Sequence, residues 1–148
     1  MDFTAKVQAF FNDYEARFNQ SLQEPPVVDV DGVVGAFAGC FVEASPVGVN
    51  CGKNDDQFRQ AVPQGFAFYK SIGTTSMKIA ALDITPLDDY HVMAKVHWDS
   101  RYTTSNGEEK IEFDVIYFLQ LLNEQPKIFA FITGDEQKVL QERGLIPS

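Results

Sequence analysis

Three consecutive segments with the hydrophobic period of β-strands occupy residues 90–134 and constrain the fold more than any other part of the chain. In the first segment, every second residue from 92 to 98 is apolar, which indicates a strand with one face toward water. In the next two, residues 113–122 and 128–132, apolar side chains occupy both faces, which indicates strands at the centre of a sheet. Turn-forming residues separate the segments, so we predict an antiparallel meander.

The earlier part of the chain carries the spacing of amphipathic helices. In the first of them, aromatic and aliphatic residues recur every three or four positions until the Pro-Pro pair at 25–26 ends the pattern. Asp29 or Asp31 can cap the second helix, and Asn54 is the predicted N-cap of the third, which Pro63 should kink or split. The predicted helices cover residues 2–22, 30–37, 54–72 and 135–143. The predicted strands cover residues 41–44, 47–51, 77–84, 90–103, 113–122 and 128–132.

Helices that precede a meander of long strands, without strand–helix–strand alternation, indicate an α+β fold. We predict a single domain over residues 1–148, built as a cone-shaped, curved antiparallel sheet with its concave face covered by about three helices. Three amphipathic helices cannot fill the wide end of such a sheet, so a mostly apolar cavity is expected there. Which side of each strand lines that cavity depends on register, because a shift of one residue exchanges the faces.

The charge balance of the chain excludes several classes of partner. The 148 residues include 12 Lys and Arg against 21 Asp and Glu, for a formal net charge of -9. Such a surface repels phosphate backbones and anionic bilayers, so neither nucleic acid nor a membrane is expected as a partner. Residues 1–11 lack the apolar run of a signal peptide, and no segment is apolar for long enough to cross a bilayer, so the expected location is cytoplasmic.

Neither a metal site nor a cofactor is expected from the sequence. His91 and His97 do not have the spacing of metal ligands, and the Gly-Lys pair at 52–53 lacks the preceding glycine of a phosphate-binding loop. Cys40 and Cys51 each lie in a hydrophobic neighbourhood, and a domain of this size needs no disulfide. We expect both to be reduced, structural thiols.

Four features of the sequence, taken in order, resemble one superfamily of small proteins. They are the aromatic first helix, the segment FVEASPVG at 41–48, the residues CGK at 51–53, and the segment IFAFI at 128–132. In this order they resemble the nuclear transport factor 2-like superfamily, specifically its SnoaL-like branch, over nearly the whole chain. The resemblance implies the cone-shaped fold. It implies no single function, since this superfamily holds isomerases, dehydratases, cyclases, transport adaptors and proteins of unknown role.

Ketosteroid isomerases of that superfamily offer one residue-level comparison. Their general-base aspartate precedes a proline, whereas here Ser45 precedes Pro46, and a serine without a nearby base cannot shuttle a proton between carbon atoms. Their oxyanion-binding tyrosine on the first helix is matched by Tyr14. By the same resemblance, the second oxyanion donor falls near Tyr117 or at Asp114.

The candidate catalytic residues are therefore Asp114, Tyr14 and Tyr117, with Asp114 transferring a proton and a tyrosine stabilising an enolate-like charge. Each also has a structural interpretation, in which the tyrosines belong to the core and Asp114 is a buried paired acid or a rim residue. The candidate ligand contacts are aromatic residues expected to face the cavity, although ordinary core packing also explains them. They are Phe18, Phe37, Phe41, Phe66, Trp98 and Phe113.

The opposite face of the sheet is also predicted to be apolar. In the last predicted strand, we assign Ile128 and Ile132 to the face that packs against the helices. The residues then expected on the opposite face are Ile116, Phe118, Phe129 and Phe131. An exposed apolar patch of that size is rare on a monomer, so we expect a homodimer packed sheet to sheet.

Three hypotheses for function remain open. In the first, a homodimeric SnoaL-like protein binds a small apolar or aromatic ligand in its cavity without established catalysis. In the second, the protein is a cofactor-free isomerase, lyase or cyclase that uses a cavity carboxylate and a tyrosine. In the third, it is an interaction module whose cavity is filled by its own side chains.

Overall fold

The structure is a computed structural model that describes residues 3–123 and 125–147. The helices are α1 (Thr4–Ser21), α2 (Val30–Gly35), α3 (Asp56–Ser71) and α4 (Glu136–Glu142). The strands are β1 (Phe37–Ser45), β2 (Gly48–Lys53), β3 (Thr74–Pro86), β4 (His91–Thr104), β5 (Gly107–Leu122) and β6 (Gln125–Ile132). Two positions of the sequence prediction lie outside the described residues: residue 2, where the first helix was to begin, and residue 124 in the last hairpin turn.

All six strands form one sheet in the order β2-β1-β6-β5-β4-β3. The strands β3 to β6 form the predicted antiparallel meander, and β1 and β2 form the predicted hairpin. However, β1 pairs with β6 in parallel, so the sheet is antiparallel at every pair of neighbouring strands except this one. A parallel pair requires a long crossover, which the chain provides because β2, α3 and the rest of the meander lie between β1 and β6.

The predicted α+β fold is confirmed, with helices packed on one face of a curved sheet. Helix α1 turns Val7 and Phe11, both fully buried, onto that face. Helix α4 packs near the far ends of β4 and β5, where Leu140 forms a second cluster with Tyr102 and Ile111. The helix-covered face is called the inner face below, and the opposite one the outer face.

The boundaries of α2 and α3 differ by one or two residues from the predicted ones. Asp55, not Asn54, caps α3, because its side chain accepts a hydrogen bond of 3.0 Å from the Phe58 amide. The Asn54 side chain instead donates to backbone carbonyls, one of them that of Phe37 at 3.1 Å. Phe37 begins β1 rather than ending the second helix, and Pro63 lies within α3 without splitting it.

The alternation predicted for β4 is confirmed. Val92, Ala94 and Val96 are completely buried, and Trp98 is 2% exposed. The intervening residues lie on the outer face, where Lys95 is exposed. Burial of every second side chain therefore fixes which residues of β4 can reach the helices.

A β-bulge in β6 overturns the predicted facing of the last strand. Leu119 pairs with Ile128 but Phe118 pairs with Ala130, so Phe129 is an extra residue without its own partner on β5. The bulge reverses the facing of every residue after it. Phe131 consequently packs on the inner face, and Ile132 is 44% exposed, which is the reverse of the prediction for both.

Candidate functional site

A partly open hollow of about 210 Å³ lies between the concave inner face and the helices above it, and it is called the inner cavity. Its wall is mostly aromatic and aliphatic, with two carboxylates and three tyrosines among the lining residues. The lining residues are Tyr14, Phe18, Glu43, Tyr69, Met77, Trp98, Phe113, Val115, Tyr117, Phe131, Thr133 and Glu136. This mixture of apolar surface and few polar groups is typical of small-molecule sites.

Three aromatic side chains form a connected group on the wall of the inner cavity. Trp98 and Tyr117 come from neighbouring strands, and the indole N–H of Trp98 donates to the Tyr117 hydroxyl at 3.3 Å. The Tyr14 ring lies above both, with its centroid 6.1 Å from that of Trp98 and 5.9 Å from that of Tyr117. Burial raises the pKa of Tyr14 and that of Tyr117, so both hydroxyls stay protonated at neutral pH and can donate hydrogen bonds.

A second polar group of the inner cavity joins α3 to α4. The Tyr69 hydroxyl donates to the Glu136 carboxylate at 2.5 Å. Desolvation of this carboxylate raises the pKa of Glu136, and the negative charge of Glu43 raises it further, although the hydrogen bond from Tyr69 opposes both effects. Desolvation, followed by the charge of Glu136, also raises the pKa of Tyr69. Glu136 is thus a carboxylate whose proton is held more tightly than usual, as expected of a group suited to proton transfer.

A second hollow of about 290 Å³ lies between α1, α2 and α3 and is called the helix groove. It shares Tyr14, Phe18 and Tyr69 with the inner cavity, so the two hollows are neighbours. The remaining lining residues are Arg17, Val33, Phe37, Phe58, Ala61, Val62, Gly65 and Phe66. The groove is therefore apolar except for the Arg17 guanidinium and two tyrosine hydroxyls.

The structure brings together most of the predicted aromatic contacts. Five predicted residues line the inner cavity: Tyr14, Phe18, Trp98, Phe113 and Tyr117. Phe37 and Phe66, with Phe18 again, line the helix groove. Phe41 instead packs beside the groove, with its ring centroid 4.9 Å from that of Phe37 and 5.1 Å from that of Phe58.

Asp114 is the predicted site residue that the structure separates from the others. It lies exposed on the outer face, where its carboxylate is 2.7 Å from Nδ1 of His97 and 3.8 Å from Nζ of Lys95. The prediction that Asp114 shares a cavity with Tyr14 and Tyr117 is therefore wrong. Alternation along β5 is the reason, because turning Tyr117 inward turns Asp114 outward. The hydrogen bond that the His97 ring donates to the Asp114 carboxylate raises the pKa of His97, which makes the pair part of a charged outer surface.

Sequence reasoning missed the residues that supply the carboxylates and the third tyrosine of the inner cavity. Glu43 shares one side of β1 with Phe41. A charged residue on an otherwise apolar side of a strand was the sequence signal that could have identified Glu43 as a cavity residue. Tyr69 fitted the apolar stripe of α3. Glu136 looked like an ordinary acidic residue in the first turn of a helix, and nothing local indicated its contact with Tyr69.

Within the described ranges, no group of three or more His, Cys, Asp or Glu side chains is arranged to hold a metal ion. In the same part of the chain, no helix combines the length and apolar character needed to cross a membrane. Cys40 and Cys51 are free, as expected, but both are exposed, although their hydrophobic sequence neighbourhood had suggested burial. Both lie on the edge hairpin of β1 and β2, where one face is open to water.

Several solved structures share this fold with the chain, at sequence identities that establish the fold alone. An NTF-2 like protein of unknown function from Shewanella oneidensis MR-1 has a TM-score of 0.66 and 15% identity, over 89% of this chain and 98% of its own. A ketosteroid isomerase-like protein from Erwinia carotovora atroseptica has a TM-score of 0.64 and 12% identity, over 90% and 95%. A protein of unknown function with a cystatin-like fold from Nostoc punctiforme has a TM-score of 0.59 and 15% identity, over 90% and 94%.

These similarities define the class as small α+β proteins with the NTF2-like, cystatin-like fold. The sequence matches the family described as NTF2-like protein (DUF6841) over residues 5–136, and the chain belongs to that family. The predicted membership of the nuclear transport factor 2-like superfamily is therefore confirmed. No functionally curated protein matches the sequence.

Proposed function

We propose that the protein binds a small, largely aromatic molecule in the inner cavity. The observation that carries this proposal is the wall formed by Trp98, Tyr14 and Tyr117, which combines flat apolar surfaces with hydroxyl donors in a hollow of about 210 Å³. Burial of an aromatic ring against such a wall supplies affinity, and a few polar groups fix the orientation of the ligand. This arrangement also disfavours the third hypothesis, in which the protein's own side chains fill the cavity.

Titration with flat aromatic alcohols of one to three rings, such as 2-naphthol, tests this proposal. Trp98 is the single tryptophan of the chain, so its fluorescence reports directly on the cavity wall. We expect saturable quenching and a matching calorimetric isotherm. Phe18→Ala should weaken binding by about tenfold, because an aromatic pair contributes about 0.5–1.5 kcal/mol beyond its buried area.

Tyr90→Ala is the control for Phe18→Ala, because Tyr90 lies in the turn between β3 and β4 with 56% of its surface exposed. This variant should bind the probes as the native chain does. Absence of saturable binding across the series, or an equal loss of affinity in both variants, would count against a ligand in the inner cavity.

The Tyr69–Glu136 pair favours a second candidate, a cofactor-free isomerase or lyase. Glu136 would take the role first assigned to Asp114, removing a proton from carbon next to a bound carbonyl group, while a cavity tyrosine donates to the resulting oxyanion. The raised pKa of Glu136 suits a general base, since a stronger base removes the proton more readily. Like the first candidate function, this enzymatic role requires that a small molecule binds in the inner cavity.

Proton abstraction by Glu136 predicts deuterium exchange into a bound ketone. In D₂O, the protein should accelerate exchange of the acidic hydrogens of 2-tetralone, followed by NMR, and Glu136→Gln should reduce the acceleration by at least about 100-fold. The rate should rise with pH through the raised pKa of Glu136, because only the ionised carboxylate accepts a proton. Glu142→Gln on the same helix is the control. Exchange that survives Glu136→Gln would exclude this role.

We also propose that two copies pack through an apolar part of the outer face, called the outer patch. It consists of Val42, Met93, Ile116, Phe118, Phe129 and Ile132. Cross-strand pairing brings Met93 beside Phe118 and Ile116 beside Ile132, and the Phe118 and Phe129 ring centroids are 6.3 Å apart. Burial of this patch against a second copy would remove its apolar surface from water.

A further inference from the structure

Within the described part of the chain, Arg17 differs from the other arginines in forming no ion pair, although the Asp29 carboxylate and the Arg17 side chain both lie against Gly32. Arg59 pairs with Asp31 at 2.7 Å, Arg101 with Asp99 at 3.0 Å, and Arg143 with Glu109 at 3.0 Å. Among the residues that the structure describes, no acceptor lies within hydrogen-bond or ion-pair distance of the Arg17 guanidinium. This is unexpected in a chain with 21 acidic residues, where carboxylates are abundant.

The surroundings of Arg17 are those of a ligand site rather than of open solvent. Arg17 is half-buried and is the one charged side chain among the described residues that line the helix groove. Its neighbours there include Phe37, Phe58 and Phe66. A guanidinium bordered by aromatic rings is partly shielded from water, and it attracts an anion more strongly than one on an open surface does.

The charge of Arg17 also reaches the wall shared by the two hollows. Burial raises the pKa of Tyr14, and the positive charge of Arg17 opposes that rise, so the guanidinium acts on the Tyr14 hydroxyl. Tyr14 lines both the helix groove and the inner cavity. Arg17 also borders a neighbouring surface hollow whose other charged lining residues are Lys6, Lys127 and Asp13, and the Asp29 carboxylate lies against Gly32 of the same hollow.

The inner cavity has the opposite electrostatic character. Its charged lining groups are Glu43 and Glu136, and together they disfavour an anion at that position. A hydroxyl group can instead donate to either carboxylate. The helix groove is therefore suited to the anionic end of a ligand, and the neighbouring inner cavity is suited to an end that carries a hydroxyl group.

We infer that the natural ligand is a flat aromatic carboxylate with a hydroxyl or similar donor at its far end, its carboxylate bound by Arg17 in the helix groove and its ring directed toward the inner cavity. This inference rests on the proposed binding function and specifies its ligand class. A carboxylate matches the planar guanidinium, which can donate two parallel hydrogen bonds to it. The aromatic rings of the groove then cover the faces of the ligand.

Three probes separate this inference from the binding function on which it rests. They are 6-hydroxy-2-naphthoate, its neutral methyl ester, and 2-naphthol, each titrated calorimetrically against the full chain. We expect the native protein to bind the carboxylate at least about tenfold more tightly than the ester. This comparison needs no substitution and is therefore independent of any effect on folding.

Substitution of Arg17 identifies the group responsible for the preference. Arg17→Gln should bind carboxylate and ester equally, and Arg17→Lys should keep part of the preference, since lysine retains the charge without the paired donors. Arg143→Gln is the control, because it removes an exposed arginine next to Glu109 and should preserve the preference.

Two results would overturn the inference and leave the binding function standing. One is equal affinity of the native chain for carboxylate and ester, and the other is a preference that persists in Arg17→Gln. Failure of all three probes, including 2-naphthol, would overturn the inference together with the proposed function.

Discussion

Replacing Phe11 with alanine will lower the free energy of unfolding by about 3–5 kcal/mol, the range observed for buried Phe→Ala substitutions. Phe11 is completely buried, and its ring centroid lies 5.1 Å from that of Phe10, 6.0 Å from that of Tyr14 and 5.0 Å from that of Tyr117. Removal of the ring leaves a void between α1 and the sheet that these neighbours can only partly fill. Urea denaturation followed by circular dichroism measures the change.

Phe68→Ala is the reference variant with which the loss of stability in Phe11→Ala is compared. Phe68 is 36% exposed on α3, and its replacement should cost much less than that of Phe11. A loss at Phe11 no larger than the loss at Phe68 would contradict the position of Phe11 in the core. Phe11→Ala should also weaken probe binding, because the void lies directly behind Tyr14 and Tyr117 and lets both rings shift.

Phe118→Glu is expected to convert a dimer of twice 16.6 kDa into a monomer of 16.6 kDa, as measured by sedimentation equilibrium at micromolar concentration. Phe118 lies at the centre of the outer patch beside Met93 and Phe129. A glutamate there would place an unpaired carboxylate in an apolar interface, and burying such a charge costs several kcal/mol.

The matched control for the dimer prediction is Phe68→Glu, which adds the same charge to the helical side of the molecule. It should sediment as the native chain does. A native chain that sediments at 16.6 kDa would rule out the dimer itself, and a dimer that survives Phe118→Glu would move the interface away from the outer patch.

The sequence pattern was sufficient wherever structure follows from local periodicity. Alternation along β4 correctly turned Trp98 toward the helices, and the apolar stripe of the first helix correctly buried Phe11. The order of elements identified the fold, because helices followed by a long meander have few ways to pack. Five of the predicted aromatic and tyrosine residues consequently lie around the inner cavity.

The errors arose where structure depends on contacts between distant parts of the chain. No local signal marks the extra residue at Phe129, yet this bulge decides whether Phe131 or Ile132 faces the cavity. The Tyr69–Glu136 hydrogen bond joins residues 67 positions apart, and neither residue is unusual within its own helix. The placement of Asp114 was different, since the alternation that turned Tyr117 inward was already visible in the sequence.

The parallel pairing of β1 with β6 means that the site is assembled from residues that are far apart in the sequence. Glu43 lies on β1 opposite Phe131, near the end of the last strand, and Glu136 follows shortly after that strand. During synthesis, a ribosome must therefore release the whole segment from Glu43 to Glu136 before both acidic groups can meet. Such distant closure tends to come late in folding, because ordering a long intervening segment is entropically costly. A molecule bound between these groups would then recognise the finished protein and not a partly folded precursor.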